Sequence, residues 1–341
     1  MSRKPFTTID DTEGLLGPYD GAQTEDLWFL PEDEAEDGPL PRSSRARLIN
    51  GDTWRVAEAA LTGELAELVF DAGRLAERLR TAGAGAVQRL ALEEAAAQSW
   101  WTGDRIGSDR LALWLSYRIG AAEEGGEGLI RTAWAARRLM AKPSGGVAAL
   151  VADLLGDTGR GDPAFPGEVA EVLEEVAGLA AVTRGCAAFH LWRSLEERPD
   201  HLRGLEAAVL GARLAGQGGL PFLPLALTGF GALTASGDPD RRLAAWVQGA
   251  HRAVLSALMA LERLAQWLKR AEVETTDLQG RTPARLIAAL AAHPMLGAAQ
   301  AEAETGASRA SVQRNLDLLQ ARGLVREVTG QGRFRIWAAK V

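Results

Sequence analysis

The chain has 341 residues, of which 47% are hydrophobic and 24% charged, and its formal net charge at pH 7 is −7. Such a chain can bury a sizeable core, and its length predicts two domains or more. It holds no run of about twenty apolar residues and starts without an apolar signal segment, which predicts a cytoplasmic protein that does not enter a membrane. Its single cysteine, Cys186, excludes an internal disulfide and any multi-cysteine metal site.

The first 50 residues are rich in glycine, proline and acidic side chains. Glu32 to Asp37 is an almost continuous acidic run, and the apolar triplet Trp28-Phe29-Leu30 precedes it. A purely disordered tail seldom keeps such a triplet. We therefore predict that residues 1–50 form an extended acidic N-terminal arm that the triplet anchors to the body.

Helical periodicity dominates residues 51–271, which we expect to form a helical body. The predicted helices are 54–79, 86–101, 108–119, 129–140, 166–197, 201–214 and 241–270. Strand patterning is almost absent before residue 324. The predicted fold class is therefore all-α, with a small β hairpin close to the C-terminal end.

Residues 280–341 follow a different pattern, which predicts a separate domain. Pro283 suits the first position of a helix that Pro294 stops, a second helix covers 297–304, and Ser308 is a good N-cap for a third helix over 309–322. Residues 324–328 and 333–337 then alternate with a strand's period of two around a glycine-rich turn. Three helices followed by a hairpin predict a winged helix-turn-helix.

The third predicted helix has an apolar face, formed by Val312, Leu316 and Leu319, and a polar face opposite. Arginine and glutamine suit the major-groove edges of guanine and adenine. The predicted DNA-binding residues are Ser308, Arg309, Ser311, Gln313 and Arg314 on this helix, and Arg333 and Arg335 on the wing.

The distribution of charge along the chain favours a DNA-binding domain over the alternative, a helical tail with solvated arginines. Nine basic and four acidic residues lie between Arg281 and Val341, a local net charge of +5, whereas the first 280 residues carry −12. The basic excess coincides with the segment that would contact phosphates. We therefore predict double-stranded DNA as the partner.

Motifs for catalysis are missing from the sequence. None of the four lysines follows a glycine, so no phosphate-binding loop of the G-x-x-x-x-G-K-[ST] type occurs, and no G-x-S-x-G motif is found. None of the four histidines has zinc-site spacing to another histidine. The sequence thus predicts no catalytic residue, no cofactor and no metal.

Two resemblances extend this interpretation. The segment Ser308 to Leu316, followed by Gly323-Leu324-Val325 and Arg333-Phe334-Arg335, resembles the C-terminal winged helix of an uncharacterised alphaproteobacterial family. That family pairs a domain of unknown function with a C-terminal helix-turn-helix. The resemblance implies DNA binding by the C-terminal region.

The order of elements in the body is similar to that of the Fic family. Glu94 to Ser99 is similar to the segment before that family's inhibitory Ile-Glu-Gly, and Ala244 to Leu268 is similar to its long helix. The Fic motif His-Pro-Phe-x-Asp/Glu-Gly-Asn-Gly-x-Arg does not occur, and the one His-Pro pair, His293-Pro294, lies in the C-terminal region. The resemblance implies a Fic-like body without its catalytic residues.

Three functions remain open at this point. The first is a DNA-binding transcriptional regulator whose helical body forms a homodimer or senses a ligand. The second is a degenerate Fic-like protein that binds a nucleotide or transfers AMP. The third is a helical scaffold that binds protein partners.

Overall fold

The computed structural model describes residues 47–119, 126–141, 149–151, 170–171, 173–195, 200–216, 219–330 and 334–341. Residues 1–46, with most of the predicted acidic arm, lie outside this set. The body consists of helices, which are α1 (Gly51–Ala60), α2 (Thr62–Ala82), α3 (Ala84–Trp101), α4 (Ser108–Tyr117), α5 (Gly126–Met140), α6 (Ala181–Leu195), α7 (Asp200–Ala215), α8 (Gly231–Thr234) and α9 (Pro239–Glu274).

Three of the predicted helix boundaries in the body are wrong. The helix predicted over 54–79 is two helices, because Leu61 leaves the helical conformation (φ −114°, ψ 22°) between α1 and α2. The helix predicted over 108–119 ends at Tyr117, since Arg118 adopts a left-handed φ of 58°. The helix predicted over 166–197 is interrupted by turns at 175–178 before α6 begins.

The long helix α9 is the element against which much of the body packs. It contains 36 residues, roughly 54 Å at 1.5 Å per residue, and contacts α1, α2, α6 and α8. Trp54 on α1, Trp192 on α6 and Trp246 on α9 itself are fully buried. The helices α6 and α7 pack closely, since a Cβ atom on Gly185 would lie 2.5 Å from the Gly211 carbonyl oxygen.

A buried carboxyl group attaches the irregular segment 219–230 to α3. Glu94 is fully buried and accepts hydrogen bonds from the backbone N–H groups of Leu225 and Ala226, each at 3.0 Å, and from Gln98 Nε2 at 2.9 Å. Burial raises the pKa of Glu94 to about 7, against the lowering effect of these donors. This side chain therefore titrates near neutral pH inside the body.

The remaining elements form what we call the C-terminal module, residues 282–339. They are α10 (Thr282–Ala292), β1 (Leu296–Gly297), α11 (Ala298–Thr305), α12 (Arg309–Ala321), β2 (Val325–Glu327) and β3 (Ile336–Ala339). The strands form an antiparallel sheet in the order β1-β3-β2, with Leu296 opposite Trp337 and Val325 opposite Ala339. A mainly helical chain with a small sheet near its C-terminal end confirms the predicted fold class.

The core of the C-terminal module includes side chains from the end of α9. Leu264, Trp267 and Ala271 pack with buried residues of α10 and α12. Trp267 is 2% exposed, and its Nε1 donates to the Leu324 carbonyl oxygen at 2.8 Å. The helix α9 therefore contributes to the body core with its first half and to the module core with its last turns.

Candidate nucleic-acid interface

The turn between α11 and α12 is fixed by local hydrogen bonds. Gly306 ends α11 in the left-handed conformation (φ 67°), where a glycine has no steric penalty. Thr305 Oγ1 donates to the Ala301 carbonyl oxygen at 2.6 Å and accepts from the Ala307 N–H at 3.2 Å. Arg285 on α10 donates to the Thr305 carbonyl oxygen at 2.6 Å, which holds the turn against the first helix of the module.

Ser308 begins α12, which we call the recognition helix, with its side chain accepting from the Ser311 N–H at 3.4 Å. Val312, Leu316 and Leu319 are fully buried and face the module core. Side chains about half a turn away must therefore face outward. The recognition helix thus presents one face to solvent along its length.

The predicted DNA-binding residues on this helix lie on or beside the outward face. Ser308, Arg309 and Arg314 are exposed, and Ser311 and Gln313 are half-buried. Within the described part of the chain, neither Arg309 nor Arg314 makes a side-chain hydrogen bond or ion pair. Arg309 is the first residue of this 13-residue helix and Arg314 is the sixth, so both lie in its first half.

Arg335, which was predicted to bind DNA from the wing, makes several contacts within the protein. Its Nε lies 2.7 Å from Glu327 Oε2, and its two terminal nitrogens donate to Asp317 Oδ1 at 3.0 Å and to Gln320 Oε1 at 3.1 Å. These neighbours, Glu327 foremost, raise the pKa of Arg335. The guanidinium is also 5.0 Å from the centre of the Trp337 ring.

Arg335 therefore joins the wing to the recognition helix. Asp317 Oδ1 also accepts from Gln313 Nε2 at 2.9 Å, so the contacts run from Gln313 through Asp317 and Arg335 to Glu327. We call these four residues the wing clamp. Arg333 lies outside the described residues.

Several of the other basic side chains in this region are also engaged within the protein. Arg322 pairs with Asp277 at 2.6 Å, Arg326 pairs with Asp109 on α4 at 2.7 Å, and Arg285 holds the turn. The local net charge of +5 therefore overstates the positive charge available to DNA. On the exposed face of the recognition helix, the positive charge comes from Arg309 and Arg314.

The C-terminal module is attached to the body by contacts that the sequence analysis missed. The Tyr117 hydroxyl accepts from the Gly297 N–H at 2.6 Å and donates to Gln300 Oε1 at 3.1 Å. Arg89 on α3 donates to the carbonyl oxygens of Leu290 at 2.5 Å and His293 at 2.7 Å, at the C-terminal end of α10. A cation there complements the unpaired carbonyl groups and the helix dipole.

Gly85 marks the closest approach of α3 to the module. A Cβ atom at this position would lie 1.9 Å from the Ala292 carbonyl oxygen, well inside van der Waals contact. The sequence contains one signal at this contact, the glycines of the Gly83-Ala84-Gly85 run at the start of α3. It could not indicate which backbone would approach.

Three helices, a small antiparallel sheet and an outward-facing polar third helix define a winged helix-turn-helix, a class of DNA-binding domain. Residues 276–333 match the MarR family of such domains. The match includes α10, α11, α12 and β2, and it supports a DNA-binding transcriptional regulator, as the sequence analysis predicted. No curated protein matches the chain. The resemblance to the Fic family stays a prediction.

Two further findings concern the described residues as a whole. None of their helices combines the length and the apolar composition that crossing a membrane requires. They also contain no group of three or more histidine, cysteine, aspartate or glutamate side chains arranged to hold a metal ion.

Proposed function

We propose that the chain controls transcription by inserting the first half of the recognition helix into the major groove of double-stranded DNA. The observation that carries this proposal concerns two guanidinium groups, Arg309 and Arg314, which make no side-chain hydrogen bond or ion pair within the described residues. Both lie on an outward-facing helix whose start is fixed by the turn at Gly306. In helix-turn-helix proteins, the N-terminal residues of the second helix of the motif contact the base edges.

The residues on this helix have different roles in the proposal. Arg314 lies opposite the buried face and donates to guanine O6 and N7, while Arg309 reaches a base edge or a phosphate from the first turn. One N–H of Gln313 Nε2 donates to Asp317 at 2.9 Å, and the second N–H and Oε1 can pair with adenine. Ser308 and Ser311 are near the helix start, where hydroxyl groups commonly bind phosphate.

The proposal assigns two roles to the wing. Arg333 contacts phosphate or the minor groove, and Arg335 positions the wing as part of the wing clamp. The charge of Arg335 is balanced by Glu327 and Asp317, so its contribution to phosphate binding is small.

We further propose that two copies of the chain act together, in the cytoplasm. A single recognition helix reaches only a few base pairs, and helix-turn-helix proteins extend their sites by dimerisation. The helical body supplies the contact between the copies or senses a ligand.

A competition experiment on the full-length chain tests the assignment of Arg314. A preferred duplex is first selected from a random pool with the wild-type protein. Arg314→Ala should weaken binding to this duplex by about 1–3 kcal/mol and weaken binding to a scrambled duplex much less. Arg252→Ala, which removes an exposed arginine from α9, is the matched control and should change neither affinity.

The same measurement can contradict the proposal. If Arg314→Ala weakens both duplexes by the same factor, the recognition helix does not read sequence at this position. If the wild-type protein enriches no sequence and binds no duplex even at low salt, the chain does not bind DNA through this module.

A further inference from the structure

The wing, which consists of β2, β3 and the residues between them, carries an exposed aromatic ring at Phe334. The side chain is 78% exposed, and no other large hydrophobic side chain of the described residues is exposed as much. Within the same residues, its ring contacts no other aromatic ring and no cation. A single exposed ring is common on protein surfaces, so its exposure alone would need no explanation.

The backbone of Phe334 is also unusual. Its φ of 59° lies in the left-handed region, which a bulky side chain rarely adopts because its Cβ comes too close to the backbone. The structure describes two further non-glycine residues with positive φ, Arg105 and Arg118, and both donate their backbone N–H to a carbonyl group of the preceding helix. Among the described residues, no such bond offsets the strain at Phe334. A strained backbone that holds an exposed ring indicates a functional contact.

The wing clamp determines where this ring lies. Arg335, the next residue, contacts Asp317 on the recognition helix at 3.0 Å and Glu327 on β2 at 2.7 Å. Consecutive Cα atoms are about 3.8 Å apart, so Phe334 lies beside the recognition helix. A duplex that receives this helix in its major groove therefore brings the adjacent minor groove to the wing.

The charge around the ring indicates the chemistry of its partner. Arg335 is balanced by Asp317 and Glu327, so the contact made at this point of the wing is not ionic. The apolar surface of DNA lies in the faces of the bases, which become available where neighbouring base pairs separate. Proteins that separate them insert apolar side chains, phenylalanine among them, from the minor groove.

We propose that Phe334 inserts between two neighbouring base pairs from the minor groove and bends the duplex. The proposal deepens the proposed function and rests on it, because the recognition helix must occupy the major groove for the wing to reach the minor groove. Insertion costs least at pyrimidine–purine steps, which are easily kinked or unstacked. The wing thus contributes sequence preference without a hydrogen bond to a base.

The test uses the full-length protein and the preferred duplex selected with it. The fluorescent base analogue aminopurine replaces each base in turn, and its fluorescence rises where a base loses its stacking partner. Energy transfer between dyes at the two duplex ends measures the bend. In the wild-type complex, we expect fluorescence to rise beside the bases that Arg314 contacts, together with a bend of about 20–90°.

Four variants test whether the effect belongs to the ring of Phe334. Phe334→Ala and Phe334→Gly should abolish the fluorescence rise and the bend, and should weaken binding by about tenfold, within the range for one base stacked on an aromatic side chain. Glycine also relieves the backbone strain, so equal results for these two variants assign the effect to the ring. Phe334→Leu keeps an apolar wedge and should retain most of the bend. Phe70→Ala, which removes a 69% exposed ring from α2, is the matched control and should change neither affinity nor bend.

The DNA is changed in the same experiment. Replacing the separated step by a step of a stiff A-tract should weaken binding of the wild-type protein and weaken binding of Phe334→Ala much less. None of these variants changes a charge, so the salt dependence of DNA affinity should be the same in all of them.

The possible failures differ in what they contradict. Wild-type protein that binds the duplex without a bend or a fluorescence rise overturns the insertion of Phe334. An unchanged bend and affinity in Phe334→Ala overturns it as well, and a protein partner then becomes the explanation for the exposed ring. If the wild-type protein binds no duplex even at low salt, the proposed function fails instead, so the two failures are distinguishable.

Discussion

Replacing Trp267 tests whether the end of α9 belongs to the core of the C-terminal module. The side chain is 2% exposed and packs with α10 and α12, and its Nε1 donates to the Leu324 carbonyl oxygen. Deleting a buried tryptophan typically costs about 3–5 kcal/mol. The unpaired carbonyl group adds about 1–3 kcal/mol, unless water reaches it.

We therefore expect Trp267→Ala to lower the free energy of unfolding by at least about 4 kcal/mol. Trp267→Phe keeps most of the volume and should lose mainly the hydrogen bond, about 1–3 kcal/mol. Trp100→Ala is the matched control, because Trp100 is 55% exposed and its loss should cost under about 1 kcal/mol.

The assay is guanidinium denaturation of the full-length chain followed by far-ultraviolet circular dichroism, with duplex binding measured in parallel. Trp267→Ala should weaken DNA binding at temperatures where the wild-type chain binds, although residue 267 is far in sequence from the recognition helix. If Trp267→Ala and Trp100→Ala shift unfolding equally and both retain DNA binding, α9 does not support the module.

Three further changes have defined outcomes. Arg335→Gln should weaken binding to preferred and scrambled duplexes alike. It should leave the salt dependence of DNA affinity unchanged, because the wing clamp already neutralises the charge of Arg335. A salt slope lower by about one unit would instead indicate that Arg335 contacts a phosphate. Gly85→Ala should push α3 away from α10, since its Cβ would lie 1.9 Å from the Ala292 carbonyl oxygen. We expect faster proteolysis near residue 293 in this variant. Gly73→Ala, with open space around the added Cβ, is the control and should leave the proteolysis rate unchanged. Glu94 has a folded-state pKa of about 7, above its usual value near 4.5, so the free energy of unfolding should fall as pH rises from about 4.5 to about 7. Denaturation at several pH values should show a weaker dependence on pH for Glu94→Gln than for the wild-type chain. The same pH dependence in both proteins would contradict the raised pKa of Glu94.

Local sequence signals predicted the helices of the C-terminal module well. Pro283 lies in the first turn of α10, Gly306 ends α11, and Ser308 caps α12, as their side chains and backbone preferences indicate. Such signals act within a few residues, so they can be recognised in a single sequence. The outward position of Arg309 and Arg314 followed from helical periodicity in the same way.

Contacts between distant residues could not be predicted by these means. The strand β1 has only two residues and pairs with β3 about forty residues later, so periodicity gave no sign of it. Arg335 was expected to face DNA because alternation places it on one side of a strand. Alternation does not reveal that Asp317 and Glu327 lie on that side too.

The boundary between the body and the DNA-binding domain was also predicted from local signals alone, which do not show what distant residues contact. Composition placed the domain start at residue 280, after the helical stripe of α9. Trp267 and Leu264 belong to that stripe, and nothing in its periodicity distinguishes the side chains that pack into the body from those that pack into the module. The extent of the domains stays a prediction.

The continuity of α9 has a consequence for the DNA site itself. The helix runs from Pro239 to Glu274 and enters the module core with its last turns, so the module cannot swing freely on a flexible tether. In a pair of chains joined through their bodies, the two recognition helices would be held a fixed distance apart. Inserting half a helical turn of DNA between the two halves of the binding sequence should then abolish paired binding, since the second half would face the opposite side of the duplex.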